Sequence, residues 1–424
     1  MPHWPKPIGF NRTPKDNKDT IKALKYLGNP QNKLNNIIHI AGTNGKGSTL
    51  AFIKQILIEN KYKVNCFTSP FLLNFNEQIC IKNNIITDRE IIQYFEEVRI
   101  KLEDKFNLTF FQTVTIATLY IFSKNNADFN LIETGLGGRI DATNVFKKKY
   151  LSILSPISYD HMEYLGDTLI KITCEKSDII MNSDHVVIAK QKPIVNACLK
   201  IILTNNNIAN ASFFKRDYDF DFVDNKFYYI DINNETISNF NQPKLAGCHQ
   251  LINLSTAITA AQKIASNFHL TYENTNRAII NTNWPGRLEE ITIPKKYITN
   301  SHNKIIFDGA HNDNGAKFLA KWLKENPFNG ETILIYGRTK GKDHNLFLQK
   351  FRNIIKEINI VEVQHEPSSA SIKEIKESIN LSLFKFSFHN EVFSAIKQIQ
   401  QRTGPFRIVC CGSLFLYRDL KLLF

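Results

Sequence analysis

Between Asn36 and Glu133 short apolar runs alternate with longer amphipathic ones, the rhythm of strands and crossover helices in a parallel sheet. Ile37-Ile38-His39-Ile40-Ala41 reads as a strand entering a glycine-rich turn, and Ser48 to Glu59 (STLAFIKQILIE) reads as the helix that leaves it. Further strands are predicted at Val64 to Thr68 and Phe129 to Glu133, and another apolar run spans Leu151 to Ile157. From Asp217 to Ile232 aromatic and polar residues alternate on both sides of Asp224-Asn225, which predicts a β-hairpin decorating this domain. The Asn-rich segment Thr204 to Ala211 reads as a loop.

Ile293 to Asn303 (IPKKYITNSHN) lacks apolar periodicity, and a fresh series of strands and helices follows it, so the domain boundary is expected there. Strands are predicted at Lys304–Phe307, Thr332–Tyr336, Ile358–Val363 and Arg407–Cys411, with helices around Asn314–Glu325, Asn345–Glu357 and Glu391–Gln401. The expected fold is α/β: a P-loop-type parallel-sheet ATPase domain over residues 1–293, then a smaller doubly wound, Rossmann-like domain over 304–424. A chain of 424 residues exceeds what one core normally fills, and 43% hydrophobic residues suffice for two.

The net charge of +13 is compatible with an anionic partner, but no block of Lys or Arg interleaved with aromatics marks a nucleic-acid groove. Small anionic ligands are expected, with no nucleic acid and no membrane partner. Seven scattered cysteines without a C-x-x-C pair predict a reduced, cytoplasmic compartment and no structural zinc. Met1-Pro2-His3-Trp4-Pro5-Lys6 carries no apolar signal, and no segment approaches the roughly 20 apolar residues that span a bilayer.

Three clusters carry candidate chemistry. Gly42-Thr43-Asn44-Gly45-Lys46-Gly47-Ser48, between strand and helix, would point backbone N–H groups and a helix N-terminus at phosphates, with Lys46 against the β- and γ-phosphates. It departs from G-x-x-x-x-G-K-[ST]: Ile40 stands where the first glycine belongs, and Gly47 intervenes before Ser48. A glycine turn without ligand is the plain alternative. Second, Glu133 closes a strand before Gly135-Leu136-Gly137-Gly138, where carboxylates often hold Mg2+, although capping or ion pairing would suit the position equally. Third, Asp160-His161 follows the run 151–157. Spacing alone does not make a lone histidine a ligand, and Glu175-Lys176 alone is an ordinary helix-surface pair.

Taken in order, these strings with Thr68-Ser69-Pro70, His249-Gln250, Asn253, Trp284-Pro285-Gly286-Arg287-Leu288-Glu289, Asp308-Gly309-Ala310-His311-Asn312 and Gly412-Ser413-Leu414 resemble the dihydrofolate synthase/folylpolyglutamate synthase branch of the Mur ligase superfamily. The resemblance covers nearly the whole chain. It implies an ADP-forming ligase of folate biosynthesis and one-carbon metabolism that joins L-glutamate to dihydropteroate, to reduced folates, or to both, with ATP and Mg2+. Gly42 to Ser48, and especially Gly45, Lys46, Gly47 and Ser48, would hold the ATP phosphates; Asn253, Arg287 and Asp308 would complete the nucleotide site in a cleft between domains. Ser69, Glu133 and His161 would ligate magnesium, and Lys176 matches a lysine that CO2 carbamylates into a further metal ligand. His311 becomes a candidate for contacting the reacting groups, with a structural role equally open. A monomer is expected.

The chain departs from the family at several positions. Phe71 replaces a histidine, Gln78 an arginine, Gln112 a glutamate and Ser177-Asp178 an Ala-Gly pair, and Gly341-Lys342-Asp343 only partly matches Asp-Lys-Asp. Two rivals follow: a peptidoglycan-precursor Mur ligase, opposed by Gly47 and the 284–289 motif, and a decayed, non-catalytic nucleotide-binding protein, motivated by the departures.

Overall fold

The computed structural model describes residues 16–103, 105–292 and 302–423. The segment Met1–Lys6 and residues 293–301, most of the expected boundary stretch, lie outside the described residues. The chain divides into two compact units, Met1–Lys244 with His249–Asn283, and Leu245–Cys248 with Trp284–Phe424. The division thus falls before 293–303. Its cause is a two-residue strand at 289–290 that pairs into the second unit's sheet, while Ala246 packs on that unit's core.

In the first unit lie β1 (Ile37–Ala41), β2 (Val64–Phe67), β3 (Ile79–Ile81), β4 (Asn84–Ile85), β5 (Phe129–Glu133), β6 (Lys149–Leu154), β7 (Ser183–Ile188) and β8 (Ala211–Phe213). They form one sheet in the order β4-β3-β2-β5-β1-β6-β7-β8. β2, β5, β1, β6, β7 and β8 pair parallel, and β3 and β4 turn back antiparallel. β1 and β5 are buried at every residue, as expected for central parallel strands covered on both faces.

The helix after β1 spans Lys46–Glu59, starting two residues before the predicted Ser48, and buries Leu50, Phe52, Ile53, Ile56 and Leu57. A helix at Phe110–Lys124, apolar almost all round, is held at its start by a capping box: Thr109 accepts the Gln112 N–H, and the Gln112 side chain accepts the Thr109 N–H at 2.9 Å. The hairpin is present as β9 (Tyr218–Val223) and β10 (Lys226–Asp231). Asp224 and Asn225 both take positive φ, which a tight two-residue turn demands. An unpredicted third strand, β11 (Thr236–Asn241), pairs with β10. The 204–211 loop is shorter than expected, because the helix Pro193–Asn205 runs into it and β8 begins at Ala211.

The second unit contains β12 (Glu289–Glu290), β13 (Lys304–Phe307), β14 (Glu331–Tyr336), β15 (Glu357–Val361), β16 (Lys385–His389) and β17 (Phe406–Cys411), in the order β12-β13-β17-β14-β15-β16. All pairs except β12–β13 are parallel, the doubly wound arrangement anticipated. The helix predicted over Asn345–Glu357 is instead His344–Leu348 followed by a 3-10 turn at Gln349–Phe351. Asn353 at φ 66° breaks it, and Glu357 already belongs to β15, where Lys385 and Arg402 pair with its carboxylate. No helix among the described residues is long and apolar enough to cross a membrane.

Candidate active site

β2, β5, β1 and β6 are consecutive neighbours, so Ser69 after β2, Glu133 ending β5, the 42–48 turn after β1 and Ser155 to His161 after β6 gather at the carboxyl ends of four parallel strands. Open α/β sheets form ligand crevices at such ends. Motifs more than a hundred residues apart thereby become neighbours.

The glycine-rich turn is knitted to the segment after β6. Thr43 and Asn44 donate their N–H groups to the Pro156 carbonyl at 3.0 and 3.2 Å, and Thr43 Oγ1 donates to the Ser158 carbonyl while accepting its N–H, both at 3.0 Å. Gly45 caps the helix at φ 88°, and a Cβ there would stand 2.2 Å from Asn253 Oδ1. Asn253 donates to Gln250 Oε1 at 2.9 Å, so it cannot simply swing aside. Gly45→Ala is therefore expected to cost about 1–3 kcal/mol in backbone strain and to raise the KM for ATP, because Asn253 must leave its place over the turn. Thermal melting and ATP saturation curves check this; a variant matching the wild type in both would refute the close approach.

Lys46 Nζ lies 3.8 Å from Glu133 Oε1 and 3.4 Å from the Gly42 carbonyl. The other oxygen of Glu133 accepts the Ser69 N–H at 3.3 Å, immediately before a cis Ser69-Pro70 peptide. Ser48 Oγ is buried without a hydrogen-bond partner, an uncommon cost unless a ligand oxygen or cation answers it. Lys176, only 4% exposed, donates to the same Gly42 carbonyl at 3.0 Å. Burial and then repulsion from Lys46 push its amine down to about 7, against the smaller pull of Asp160 and Asp141. The site is thus a cradle with one carboxylate, one cationic lysine, one half-neutral lysine and an unanswered hydroxyl.

Its oxygen-rich donors suit a hard dication. Among the described residues no three His, Cys, Asp or Glu side chains stand together as a metal-ligand group, so a divalent site here has to draw on hydroxyl or carbamate oxygen as well. His161 takes φ 49°, and its ring faces its own neighbours, Asp160 at 3.9 Å and Glu163 at 4.0 Å. Gly138 packs against the backbone of Lys176, where a Cβ would stand 2.6 Å from the Glu175 carbonyl and 2.7 Å from that of Lys176. The 135–143 loop therefore touches the helix that carries Lys176.

The departures from the family have local roles. Phe71 packs edge-on against Phe75 at 5.9 Å, and Phe75 in turn meets Phe95 and Phe110. Gln112 serves the capping box that a glutamate would serve. Asp178 accepts Asn144 Nδ2 at 2.8 Å. Gln78 is buried at the start of β3, its Nε2 without a partner.

In the second unit, Asp308 at the end of β13 accepts the N–H groups of Leu288 (3.0 Å) and Ala310 (2.9 Å). Burial raises its pKa, and the Arg287 guanidinium opposes that shift. His311 Nδ1 lies 3.0 Å from the Gly309 carbonyl. Sequence reasoning missed Arg338. It is buried, donates to the carbonyls of His311 (2.8 Å) and Asp343 (2.7 Å), and stacks on Phe347, thereby tying the loops after β13 and β14 together. Its signal was an arginine one glycine beyond a strand, indistinguishable by letters from a surface residue. Sequence reasoning also gave no role to His39, Thr143 and Asp141, which form one hydrogen-bonded chain.

Known proteins resemble the chain over both of its units. Residues 40–261 match the Mur ligase middle domain, and residues 289–423 match the dihydrofolate synthetase C-terminal domain. A Bacillus subtilis dihydrofolate synthase/folylpolyglutamate synthase is 29% identical, covering 94% of this chain and 93% of its own. A Schizosaccharomyces pombe protein named as a probable dihydrofolate synthetase is 31% identical, covering 95% and 97%. A solved structure of Escherichia coli FolC in complex with DHPP and ADP superposes with a TM-score of 0.86 at 22% identity, covering 97% of this chain and 94% of that one.

Proposed function

The chain belongs to the dihydrofolate synthase/folylpolyglutamate synthase family of Mur ligases and is an ATP-dependent ligase of L-glutamate, and we propose that it works through the groups gathered at the carboxyl ends of β2, β5, β1 and β6. The observation that carries this assignment is the cradle itself: Lys46 between the Gly42 carbonyl and the Glu133 carboxylate, with the buried Ser48 hydroxyl unanswered.

A carboxylate oxygen is a poor leaving group, so the carboxylate must be activated before an amine can displace it. The bond between the γ-phosphorus and the bridging oxygen of ATP breaks, a bond to a carboxylate oxygen forms, and ADP leaves. Glutamate's amine then attacks the acyl carbon, the acyl phosphate C–O bond breaks, and phosphate departs as the nitrogen loses a proton to solvent. Phosphoryl transfer is mainly positioning and charge neutralisation, which falls here to Lys46 and the backbone N–H groups at the start of the helix Lys46–Glu59. Ser69, Glu133 and His161 would hold a magnesium ion and a carbamylated Lys176 a second one, and these ions would supply further neutralisation of phosphoryl charge. Arg287 and Asp308 are assigned to the nucleotide as well, and His311 to the reacting groups.

Carbamylation answers an electrostatic problem visible in the cradle. Lys46 and Lys176 share one carbonyl oxygen, and they repel each other whenever the Lys176 amine is protonated. Converting Lys176 to a carbamate turns that repulsion into attraction. The low pKa of the amine keeps a large fraction neutral and nucleophilic near pH 7, as attack on CO2 requires. The enzyme is taken to be a cytoplasmic monomer that acts on small molecules.

The test is glutamate-dependent phosphate release with dihydropteroate compared with a reduced monoglutamyl folate. Release with the first alone defines a dihydrofolate synthase, with the second alone a folylpolyglutamate synthase, and with both a bifunctional enzyme. Binding of ATP and Mg2+ without turnover of either acceptor would overturn the ligase assignment in favour of a non-catalytic nucleotide-binding protein.

A further inference from the structure

β1 is apolar apart from His39, which is fully buried in mid-strand. Its Nε2 lies 2.8 Å from Thr143 Oγ1, and Thr143 Oγ1 in turn makes a short hydrogen bond to Asp141 Oδ1. A hydroxyl has a single proton, and an ionised carboxylate only accepts. Thr143 therefore donates to Asp141 and accepts from His39, so His39 carries its ring proton on Nε2. Its Nδ1 is buried without a partner, as an unprotonated nitrogen can be at modest cost, and burial with the nearby Lys149 charge holds the ring neutral. The chain of hydrogen bonds thus has one direction, from β1 to Asp141.

Asp141 spends its remaining capacity on backbone. Its carboxylate accepts the N–H of Leu136 at 2.7 Å and that of Thr143 at 2.9 Å, so it closes the loop that leaves Glu133. The same loop meets the helix carrying Lys176: Arg139 N–H donates to the Glu175 carbonyl at 2.8 Å, and Gly138 lies against the Lys176 backbone. Three elements converge on it, namely the strand feeding the phosphate turn, the strand ending in Glu133 and the helix Leu169–Ser177 that carries Lys176.

We propose that His39, Thr143 and Asp141 form a one-directional hydrogen-bond relay whose task is to position Glu133 and Lys176 relative to the phosphate turn. They are positioning residues and touch neither substrate nor metal. The inference rests on the assignment of Glu133 and Lys176 to the metal in the preceding subsection. The Thr143 hydroxyl is the link without which β1 and the loop part, and Thr143→Val removes it while nearly keeping shape.

The experiment compares Thr143→Val, Thr143→Ser and Asp141→Asn with the wild type in two readouts. The first is the Mg2+ dependence of ADP release alongside the KM values for ATP, pteroate and glutamate. The second is equilibrium Mn2+ binding followed by electron paramagnetic resonance in the presence of a non-hydrolysable ATP analogue, which needs no turnover. Thr143→Val is expected to raise the half-saturating metal concentration about tenfold in both readouts, the scale typical of losing a group that orients a metal ligand. Asp141→Asn should shift it in the same direction, the KM values for pteroate and glutamate should hold, and Thr143→Ser should restore the metal requirement. An unchanged metal requirement in Thr143→Val overturns the relay, and so does a uniform fall of every constant with melting temperature that serine does not restore. If the wild type ligates glutamate to neither acceptor, the functional assignment fails, while Mn2+ binding still decides the relay.

Discussion

Lys46→Ala is expected to lower ADP release by about a thousandfold with either acceptor, the scale on which removing one preorganised group opposite developing phosphoryl charge acts. In the cradle its ammonium is held between the Gly42 carbonyl and Glu133, so it meets the incoming phosphates without reorganising. Its loss should also leave Glu133 facing the phosphates unneutralised, which weakens ATP binding in addition to slowing the chemical step. Stability should move the other way. Lys46 is the largest electrostatic burden on Lys176 after burial itself, so its removal lets the Lys176 pKa rise and leaves the melting temperature unchanged or higher. Lys46→Arg should not rescue, because a planar fork does not replace a compact charge at this distance. Steady-state kinetics with both acceptors and a melting curve measure the two halves together. Turnover retained in Lys46→Ala removes the assigned phosphate role, and a large drop in melting temperature would mean that the kinetic loss reports unfolding.

The turn at Gly42 to Ser48 and the carboxylate Glu133 were legible because each sits on a local transition from apolar strand to glycine turn, which needs no partner to recognise. Edge elements were harder. β11 (TISNFN) is largely exposed, and β16 (KFSFH), although it alternates, is short and has no fully buried residue, so neither shows the apolar run of a central strand. The helix extended to Glu357 failed for the opposite reason: buried Phe347, Leu348, Phe351 and Ile355 mimic one helical stripe, but only the first two sit on a helix, while Phe351 ends a 3-10 turn and Ile355 follows it. Gln112 looked like a weakened substrate residue, and the capping box shows that an amide oxygen suffices there. His39 stood out in its strand, yet its partner Thr143 lies 104 residues away, a pairing set only by the parallel sheet. Arg338 needed burial to distinguish it from a solvated arginine. Local chemistry could therefore be read from letters, whereas the groups that hold that chemistry in place depended on contacts formed by the fold.

Lys176→Met is expected to raise stability while abolishing activity. In the folded, metal-free protein without CO2 the Lys176 amine titrates near 7, while in the unfolded chain it returns to the ordinary lysine value of about 10.4. Between those values the unfolded chain binds more protons, so stability rises with pH there; below about pH 7 both states are protonated and the full penalty of burying the charge is felt. The shift corresponds to a penalty on the order of 3–5 kcal/mol. Lys176→Met should therefore be more stable than the wild type by roughly that amount near pH 6, with the difference shrinking as pH climbs towards 10. Activity should collapse, because methionine cannot take up CO2 and leaves the cradle without its second anionic oxygen donor. In wild-type protein, stripping bicarbonate should lower kcat and returning it should restore kcat, and native mass spectrometry should find one bound CO2 that Lys176→Met lacks. A wild type indifferent to bicarbonate would eliminate the carbamate. A methionine variant less stable at pH 6 would show instead that Lys176 is folded as a satisfied cation, and the two results can be obtained independently.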